Sequence, residues 1–279
     1  MPELPELEVV QEVLQRRVVG TTVQSVEILP PGGLIVARDL TQRGFEASLT
    51  QARIANVVRR GKYLVFSMEH ADAPGVYLVL NLKLMGRLQL TTPTERRHAK
   101  THVVLALSSG DELRYVDQNQ MGQLYLVHAL AQVPDFDRMG PEPFAISLDE
   151  FRARLRPFRG EIKGILTRGD FVAGIGNAYA DEILWAARLH PYRKRTQLTA
   201  DEIERLYHAM QSTLRQAIEH LRVKMGENIQ QEPRDFLAIH MKTGQPCPRC
   251  GAAISLVGAN QRITNFCRTC QPGGLIRGM

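Results

Sequence analysis

All four cysteines of this 279-residue chain lie within its last 33 residues, as Cys247-Pro248-Arg249-Cys250 and Cys267-Arg268-Thr269-Cys270. The pattern is C-x2-C, 16 residues, then C-x2-C. At this spacing two knuckles close a tetrahedron of thiolates around one zinc ion. It fits metal binding in a reducing compartment better than a disulfide framework. Four thiolates leave no open position for water, so the expected Zn2+ is structural, one per chain. Between the pairs, residues 253–257 and 262–266 are β-like runs around Gly258-Ala259-Asn260, which reads as a zinc-stabilised hairpin. Arg262 projects from that hairpin. It is either an ordinary solvated arginine or a phosphate clamp, for which a planar guanidinium suits better than a point charge.

Charge is divided unevenly. Residues 1–150 carry 15 Lys+Arg against 18 Asp+Glu, whereas residues 151–279 carry 20 against 11. A basic half beside a near-neutral half points to a polyanionic partner, nucleic acid before membrane surface; the plainer reading is a solubilising face. No apolar run approaches the ~20 residues of a membrane helix. The length accommodates two ordinary domains with a core in each.

The other terminus, Met1-Pro2-Glu3-Leu4-Pro5-Glu6, has neither the basic nor the apolar region of a secretory signal. An initiator Met before Pro is normally trimmed, because Pro is small. Trimming makes Pro2 a terminal secondary amine. An unperturbed α-amino group has a pKa near ~8, so part of it is neutral and nucleophilic at physiological pH. Held against an electrophilic sugar carbon, it can form a covalent iminium, as a Schiff-base lysine does. Glu3 and Glu6 stand beside it as candidate proton carriers. On these residues alone the alternative stays open: Pro2 merely tolerates processing, and Pro5 opens a helix.

Periodicity divides the chain further. A helix is expected from Pro5 to about Val19, with Leu7, Val10, Leu14 and Val18 at helical spacing and Gly20 as its stop. Residues 22–29, 53–58, 62–68, 76–82, 102–107, 112–116 and 122–127 are β-branched or alternating, which suggests an antiparallel sandwich or barrel. Gly140-Pro141-Glu142-Pro143 marks a domain boundary. Beyond it the period becomes helical: 148–156 with Ser147 as N-cap, 162–167, 175–188, and a long helix from Thr199 to about Val223. Glu202 completes a capping box with Thr199. The turn Gly174-Ile175-Gly176-Asn177 before a helix exposes backbone N–H groups that can hold one phosphate, with Asn177 as an added donor. A helix before and after it suggests helix–turn–helix packing against a DNA backbone. Arg159 and Lys163 are further candidate phosphate contacts, or else a solvated face.

Three segments together resemble the formamidopyrimidine-DNA glycosylase / endonuclease VIII family. They are the N-terminal hexapeptide, Gly174-Ile175-Gly176-Asn177-Ala178-Tyr179-Ala180-Asp181-Glu182, and the four-cysteine hairpin with Gln261-Arg262-Ile263-Thr264. The resemblance covers nearly the whole chain in order, and the leader is closer to the formamidopyrimidine branch. It implies an α+β fold: a catalytic antiparallel β-sandwich with flanking helices over 1–135, a helix–two-turns–helix DNA-binding domain over 136–225, a lesion-capping loop region over 226–243, and a zinc finger over 244–279. DNA would lie in the cleft between the sandwich and the helical domain. The implied activity is that of a bifunctional DNA glycosylase/AP lyase of base excision repair. It would remove oxidised or ring-opened bases of the 8-oxoguanine and formamidopyrimidine type from double-stranded damaged DNA. The chain is expected to be a cytoplasmic, nucleoid-associated monomer with no membrane partner.

The resemblance also assigns roles. Pro2 would attack C1′ and form the Schiff base, with Glu3 as the acid that assists base loss and sugar opening. Lys62, in Arg59-Arg60-Gly61-Lys62-Tyr63, would bind phosphate and assist β-elimination. Asn177 and Arg262 would hold phosphates at the lesion, Arg262 also serving the final δ-elimination, and Arg159 would be a basic DNA contact. The damaged nucleotide must be everted and its place filled. Here this sequence departs from the formamidopyrimidine branch, whose Asp-Pro-Arg-Arg-Phe-Gly loop reads Asp117-Gln118-Asn119-Gln120-Met121-Gly122. Asn119 replaces the Arg that reads the orphaned cytosine, and Met121 replaces the Phe wedge. Leu84 stands at the position of a family Met, and Lys100 replaces a His that contacts DNA. Two expectations follow: Leu84 and Met121 fill the gap while the opposite base is read weakly, or the substrate range has shifted. A non-catalytic or altered-specificity damaged-DNA-binding relative is the rival, which Pro2, Glu3 and Lys62 oppose. A bare zinc-ribbon transcription module leaves the N-terminus unexplained.

Overall fold

The computed structural model describes residues 1–71, 75–258 and 263–273. They form two compact units: Met1–Asp137 with Leu221–Pro233, and Arg138–His220 with the described residues from Arg234 onward. Along the first run α1 (Leu4–Arg17), β1 (Val23–Ile28), α2 (Gly32–Val36), β2 (Ala37–Asp39), α3 (Phe45–Leu49), β3 (Arg53–Arg60), β4 (Tyr63–Glu69), β5 (Val76–Asn81), β6 (Gly86–Thr91), β7 (Thr101–Leu107), β8 (Glu112–Asp117) and β9 (Gln123–Val127). The second carries α4 (Leu148–Leu155), α5 (Ile162–Leu166), α6 (Asn177–Ala186), most of α7 (Ala200–Met225), and the hairpin β10 (Ser255–Val257) and β11 (Thr264–Phe266).

The first unit is a sandwich of a five-stranded sheet, ordered β2-β9-β5-β4-β3, and a four-stranded sheet, ordered β1-β7-β8-β6. Register explains why its central strands are almost continuously apolar. Leu64, Leu80 and Leu124 line up across β4, β5 and β9, as do Phe66, Leu78 and Leu126. One residue along, Val65, Val79 and Tyr125 point to the other face, where Val133 and Phe136 cover them. A sheet buried on both faces has no polar alternation to show. Helix α1 lies on β3: Gln11 Nε2 donates to the Val57 carbonyl (2.7 Å), the Val57 N–H donates to Gln15 Oε1 (3.1 Å), and Arg59 pairs with Glu8. The helix therefore runs against the direction of β3. Its N-terminal end lies toward the Arg60 end of the strand.

Sequence and structure differ at four places in this unit. The β2–β9 pair is parallel, so the sheet is not wholly antiparallel. A three-residue strand whose partner is far along the chain has no pattern of its own to read. The Pro30-Pro31-Gly32-Gly33 cluster, which breaks the β-like runs of the sequence, opens α2. Glycine is required there because a Cβ on Gly32 would come within 2.2 Å of the His102 ring. The short helix α3 carried no periodicity, and β6 carried only Leu88 and Leu90 between polar neighbours.

In the second unit, one core joins Phe151 and Leu155 of α4, Ile162 and Leu166 of α5, Tyr179 and Ile183 of α6, and Leu206, Met210 and Leu214 of α7. Phe151 and Phe171 meet edge to face at 5.2 Å. The helix starts carry the expected caps. Ser147 Oγ accepts the Glu150 N–H (3.2 Å), Thr199 Oγ1 accepts the Glu202 N–H (3.2 Å), and Glu202 Oε2 accepts the Thr199 N–H (2.9 Å). Helix α6 begins two residues later than its periodicity suggested. Gly176 is extended (φ −121°, ψ −160°) and forms the N-cap, so Asn177 is the first helical residue.

Candidate active site and zinc centre

The sandwich brings several singled-out residues to one rim. Asn81, the last residue of β5, pairs with Tyr63 at the start of β4 and with Gln123 at the start of β9. The β3–β4 turn, Gly61-Lys62, and the loops β5–β6 and β8–β9 therefore lie at the same end. Because α1 runs against β3, the Pro2-Glu3 end of that helix points to this rim as well. Pro2 and Glu3 are buried, and Lys62 is half-buried. The Glu6 carboxylate accepts the Glu3 backbone N–H (2.9 Å), which turns one buried acid into the cap of α1. The Met1 ammonium lies 3.2 Å from Glu232, whose carboxylate also pairs with Arg87 at the start of β6.

The two predicted gap-filling residues sit in the adjacent loops. Met121 is 47% exposed, unusual for a large apolar side chain, and Leu84 is half-buried beside Met85, which is 43% exposed. Asn119 is exposed, and its backbone N–H donates to Asp117 Oδ1 (3.0 Å). Lys100 is exposed, and its carbonyl accepts the Asp117 N–H (3.0 Å).

In the helical unit, Lys163 is neither a solvated residue nor presented to a ligand. It is 6% exposed. Its ammonium pairs with Asp181 Oδ1 (2.6 Å) and donates to Thr264 Oγ1 (2.8 Å) and the Ile263 carbonyl (3.1 Å). These contacts turn the side chain inward, where it ties α5 to α6 and to the zinc hairpin. Asn177 Nδ2 donates to the same Ile263 carbonyl (2.7 Å). Arg159 is exposed after α4. Arg262 lies outside the described residues; the residues just beyond it, Ile263 to Asn265, are the ones that Lys163, Asn177 and Asp181 hold.

The anchoring extends beyond the residues singled out from the sequence. Asp181 Oδ2 meets His240 Nδ1 (2.8 Å) and accepts the Asn265 N–H (3.1 Å). Glu182 accepts the backbone N–H groups of Ala238, Ile239 and His240 at 2.8–2.9 Å. Burial pushes the Glu182 carboxyl up, while those three donors pull it back. Two adjacent acids inside a helix as apolar as Ala178–Leu184 were the available signal, since charges there require internal partners.

The four cysteine sulfurs lie within 4.8 Å of one another. Cys247 and Cys270 are 3.9 Å apart, and Cys250 and Cys267 3.5 Å. Neither distance is a disulfide, which needs ~2.05 Å. Both are close to the ~3.8 Å edge of a tetrahedron whose zinc–sulfur bonds are ~2.3 Å. Burial works against the Cys247 thiolate, but the Arg249 and Cys250 backbone N–H groups and the Trp185 indole (3.4 Å) outweigh it, bringing this thiol down to about 6. Burial and the neighbouring thiols push Cys270 up to about 12. Four such sulfurs cannot all ionise without a cation among them, so the donor set fits one structural Zn2+. Arg249 stacks on Trp185, 4.1 Å from its ring centre, and fixes the first knuckle to α6.

Comparison with known proteins decides the family. Residues 1–124 match the formamidopyrimidine-DNA glycosylase N-terminal domain, 139–227 the H2TH domain of the same enzyme, and 244–273 a zinc finger found in FPG and IleRS. A formamidopyrimidine-DNA glycosylase of Symbiobacterium thermophilum is 37% identical over 98% of this chain and 90% of its own length. One of Herpetosiphon aurantiacus is 34% identical over 97% of this chain and its full length. The chain belongs to the formamidopyrimidine-DNA glycosylase family. The Lactococcus lactis FPG, solved with a FAPY-dG containing DNA, is 32% identical, covers 97% of this chain and all of its own, and has a TM-score of 0.84.

Proposed function

We propose that this chain is a bifunctional DNA glycosylase/AP lyase of base excision repair that removes oxidised or ring-opened purines through Pro2. Family membership carries the glycosylase activity. The observation supporting the particular residues is their convergence: the start of α1, the Gly61-Lys62 turn and the two exposed loops share one rim of the sandwich. Once Met1 is removed, the Pro2 nitrogen attacks C1′. The glycosidic bond breaks with protonation of the departing base, and the C1′–O4′ bond opens with a proton from Glu3. The Pro2 nitrogen gives up its one N–H proton, which balances the proton taken by the departing base, and with none left to lose it forms a cationic iminium with C1′. That cation acidifies the C2′ proton. Lys62 assists its loss, the 3′ phosphate leaves by β-elimination, and Arg262 serves the later δ-elimination. Water then hydrolyses the iminium and frees Pro2. The zinc centre takes no part in these steps.

On this reading the division into a catalytic sandwich (1–135), helical DNA-binding domain (136–225), capping loop (226–243) and zinc finger (244–279) is functional. Asn177, Arg159, Lys100 and Arg262 serve as contacts to the DNA backbone, and Lys163 acts through the hairpin it holds. The substrate is double-stranded damaged DNA, bound by a cytoplasmic, nucleoid-associated monomer. Among the described residues, no helix is long and apolar enough to cross a membrane.

Asn119 is shorter than arginine and lacks its planar fork, so discrimination of the opposite base should be weak. Incision of duplexes carrying 8-oxoguanine, formamidopyrimidine, dihydrouracil or an abasic site, each opposite all four bases, tests both parts. The oxidised purines should be cut best, with little dependence on the opposite base. A strong preference for cytosine would remove the role given to Asn119. Failure to cut any purine lesion would remove the substrate class.

A further inference from the structure

We propose that Tyr115 and Asp117 form a buried clamp that locks the two gap-filling loops to each other, positioning Leu84 and Met121 without touching DNA. The inference rests on the gap-filling reading of those two residues. It concerns neither the wedge nor the nucleophile but what holds the wedge still.

The topology sets the problem. Loop β5–β6 and loop β8–β9 both leave one sheet of the sandwich and enter the other. They do so side by side, because β5 neighbours β9 in one sheet and β6 neighbours β8 in the second. Gly86, where the first loop ends, is the register partner of Asp117, where the second begins. Each loop carries a left-handed residue, Lys83 (φ 52°) and Gln120 (φ 54°), and each exposes a methionine. Leu82 buries the start of the first loop, but the methionine of each loop stays exposed.

The clamp lies between them. Asp117 is fully buried and Tyr115 is 2% exposed. The Tyr115 hydroxyl donates to Asp117 Oδ2 (2.8 Å), which also accepts the Gly122 N–H (2.8 Å). Asp117 Oδ1 accepts the Asn119 N–H (3.0 Å). One carboxylate thus gathers the beginning and the end of the loop that carries Met121. The same hydroxyl fixes both glycines by contact. A Cβ on Gly122 would stand 1.6 Å from Tyr115 Oη, and one on Gly86 would stand 2.6 Å from it. A single buried oxygen is therefore pressed against the backbone of both loops, and only glycine lets them approach it. Burial first, then the Asp117 charge, raises the phenol above its ordinary range, so it stays a donor. A wedge must enter the stack at a set depth, and misplacement by about 1 Å can cost about a hundred-fold in rate.

The test compares two substrates within each variant: a lesion-bearing duplex, where a hole must be filled, and a single-stranded abasic oligonucleotide, where none exists. Tyr115→Phe keeps the ring and removes the hydroxyl. Asp117→Asn keeps the shape and removes one acceptor. Each should lower duplex incision about ten-fold or more relative to single-strand incision. Each should also weaken the fluorescence rise of 2-aminopurine placed beside the lesion, which reports unstacking. The ratio of the two rates does not depend on how much of a preparation is folded. Equal loss on both substrates, or no loss on either, overturns the clamp. Leu84→Ala and Met121→Ala run in parallel and separate the two claims. If they leave duplex incision and unstacking untouched, the gap-filling reading fails and the clamp fails with it. If they impair both while Tyr115→Phe and Asp117→Asn do not, only the clamp fails.

Discussion

At the rim of the sandwich, two buried acids stand within four residues of Pro2 and have different employment. Glu6 accepts the Glu3 backbone N–H (2.9 Å) in the capping box that opens α1. The proposed function gives Glu3 the proton that assists base loss and sugar opening. General acid assistance is worth about a hundred-fold to ten-thousand-fold. Glu3→Gln should therefore slow excision of a damaged base by that order. It should slow incision of a preformed abasic site much less, because no base has to leave. A single-turnover comparison on 8-oxoguanine and abasic duplexes measures the difference; equal losses would take the acid role away from Glu3.

At the scale of elements, α5, α6 and the zinc hairpin are joined by buried charge. Removing one partner of such a pair costs about 3–5 kcal/mol, because the other charge is stranded. Lys163→Met should lower the stability of the helical unit by about that amount, read by thermal unfolding, through loss of the tie to Asp181. A change within experimental error would mean that Lys163 is dispensable to the fold. The start of α7 offers a pH test. Burial opposes ionisation of Glu202, but Arg193 and the Thr199 N–H outweigh it and hold its carboxyl below the ordinary 4.5. A depressed carboxyl stabilises the fold above that value, and the benefit fades as pH falls through the lowered one. Glu202→Gln should thus be less stable than the parent at pH 7, with the gap closing below about 4.5. A gap that widened on acidification would contradict the sign.

These elements also mark how far the chain could be read. The caps at Ser147 and Thr199, the central strands and the cysteine tetrahedron were legible because each rests on neighbours in sequence. What escaped depends on distant partners. Strand β2 exists only through β9, α2 only because Gly32 accepts the His102 ring, and Lys163 turns inward because Asp181 and Thr264 fold against it. Tyr115 and Asp117 read as ordinary strand residues until Gly86 and Gly122 are seen to close around them. The late start of α6 is local in origin: Gly176 is spent on the turn, so Asn177 becomes the first helical residue.

At the scale of the molecule, the proposed function makes DNA binding depend on the hairpin that zinc would hold in the basic second half. Thiolates must be free of protons to hold the metal, so zinc retention falls as pH falls; Cys270, pushed up to about 12, would give up its proton on holding the ion. Chelation, or Cys250→Ser, should lower zinc from one ion per chain to none, measured by elemental analysis, and abolish retention of lesion duplex. The β-sheet circular dichroism of the sandwich should persist. Retention of DNA by zinc-free protein would uncouple the finger from binding. The central claim concerns the other terminus, where a trimmed secondary amine bonds to deoxyribose. Borohydride reduction of the mature protein with abasic duplex, followed by peptide mapping of the trapped adduct, tests it most directly. The expected result is one adduct whose sugar is attached to the nitrogen of an N-terminal Pro2, and none with Pro2→Gly. An adduct on Lys62 or another lysine, or strand cleavage by protein that still begins with Met1, would contradict it.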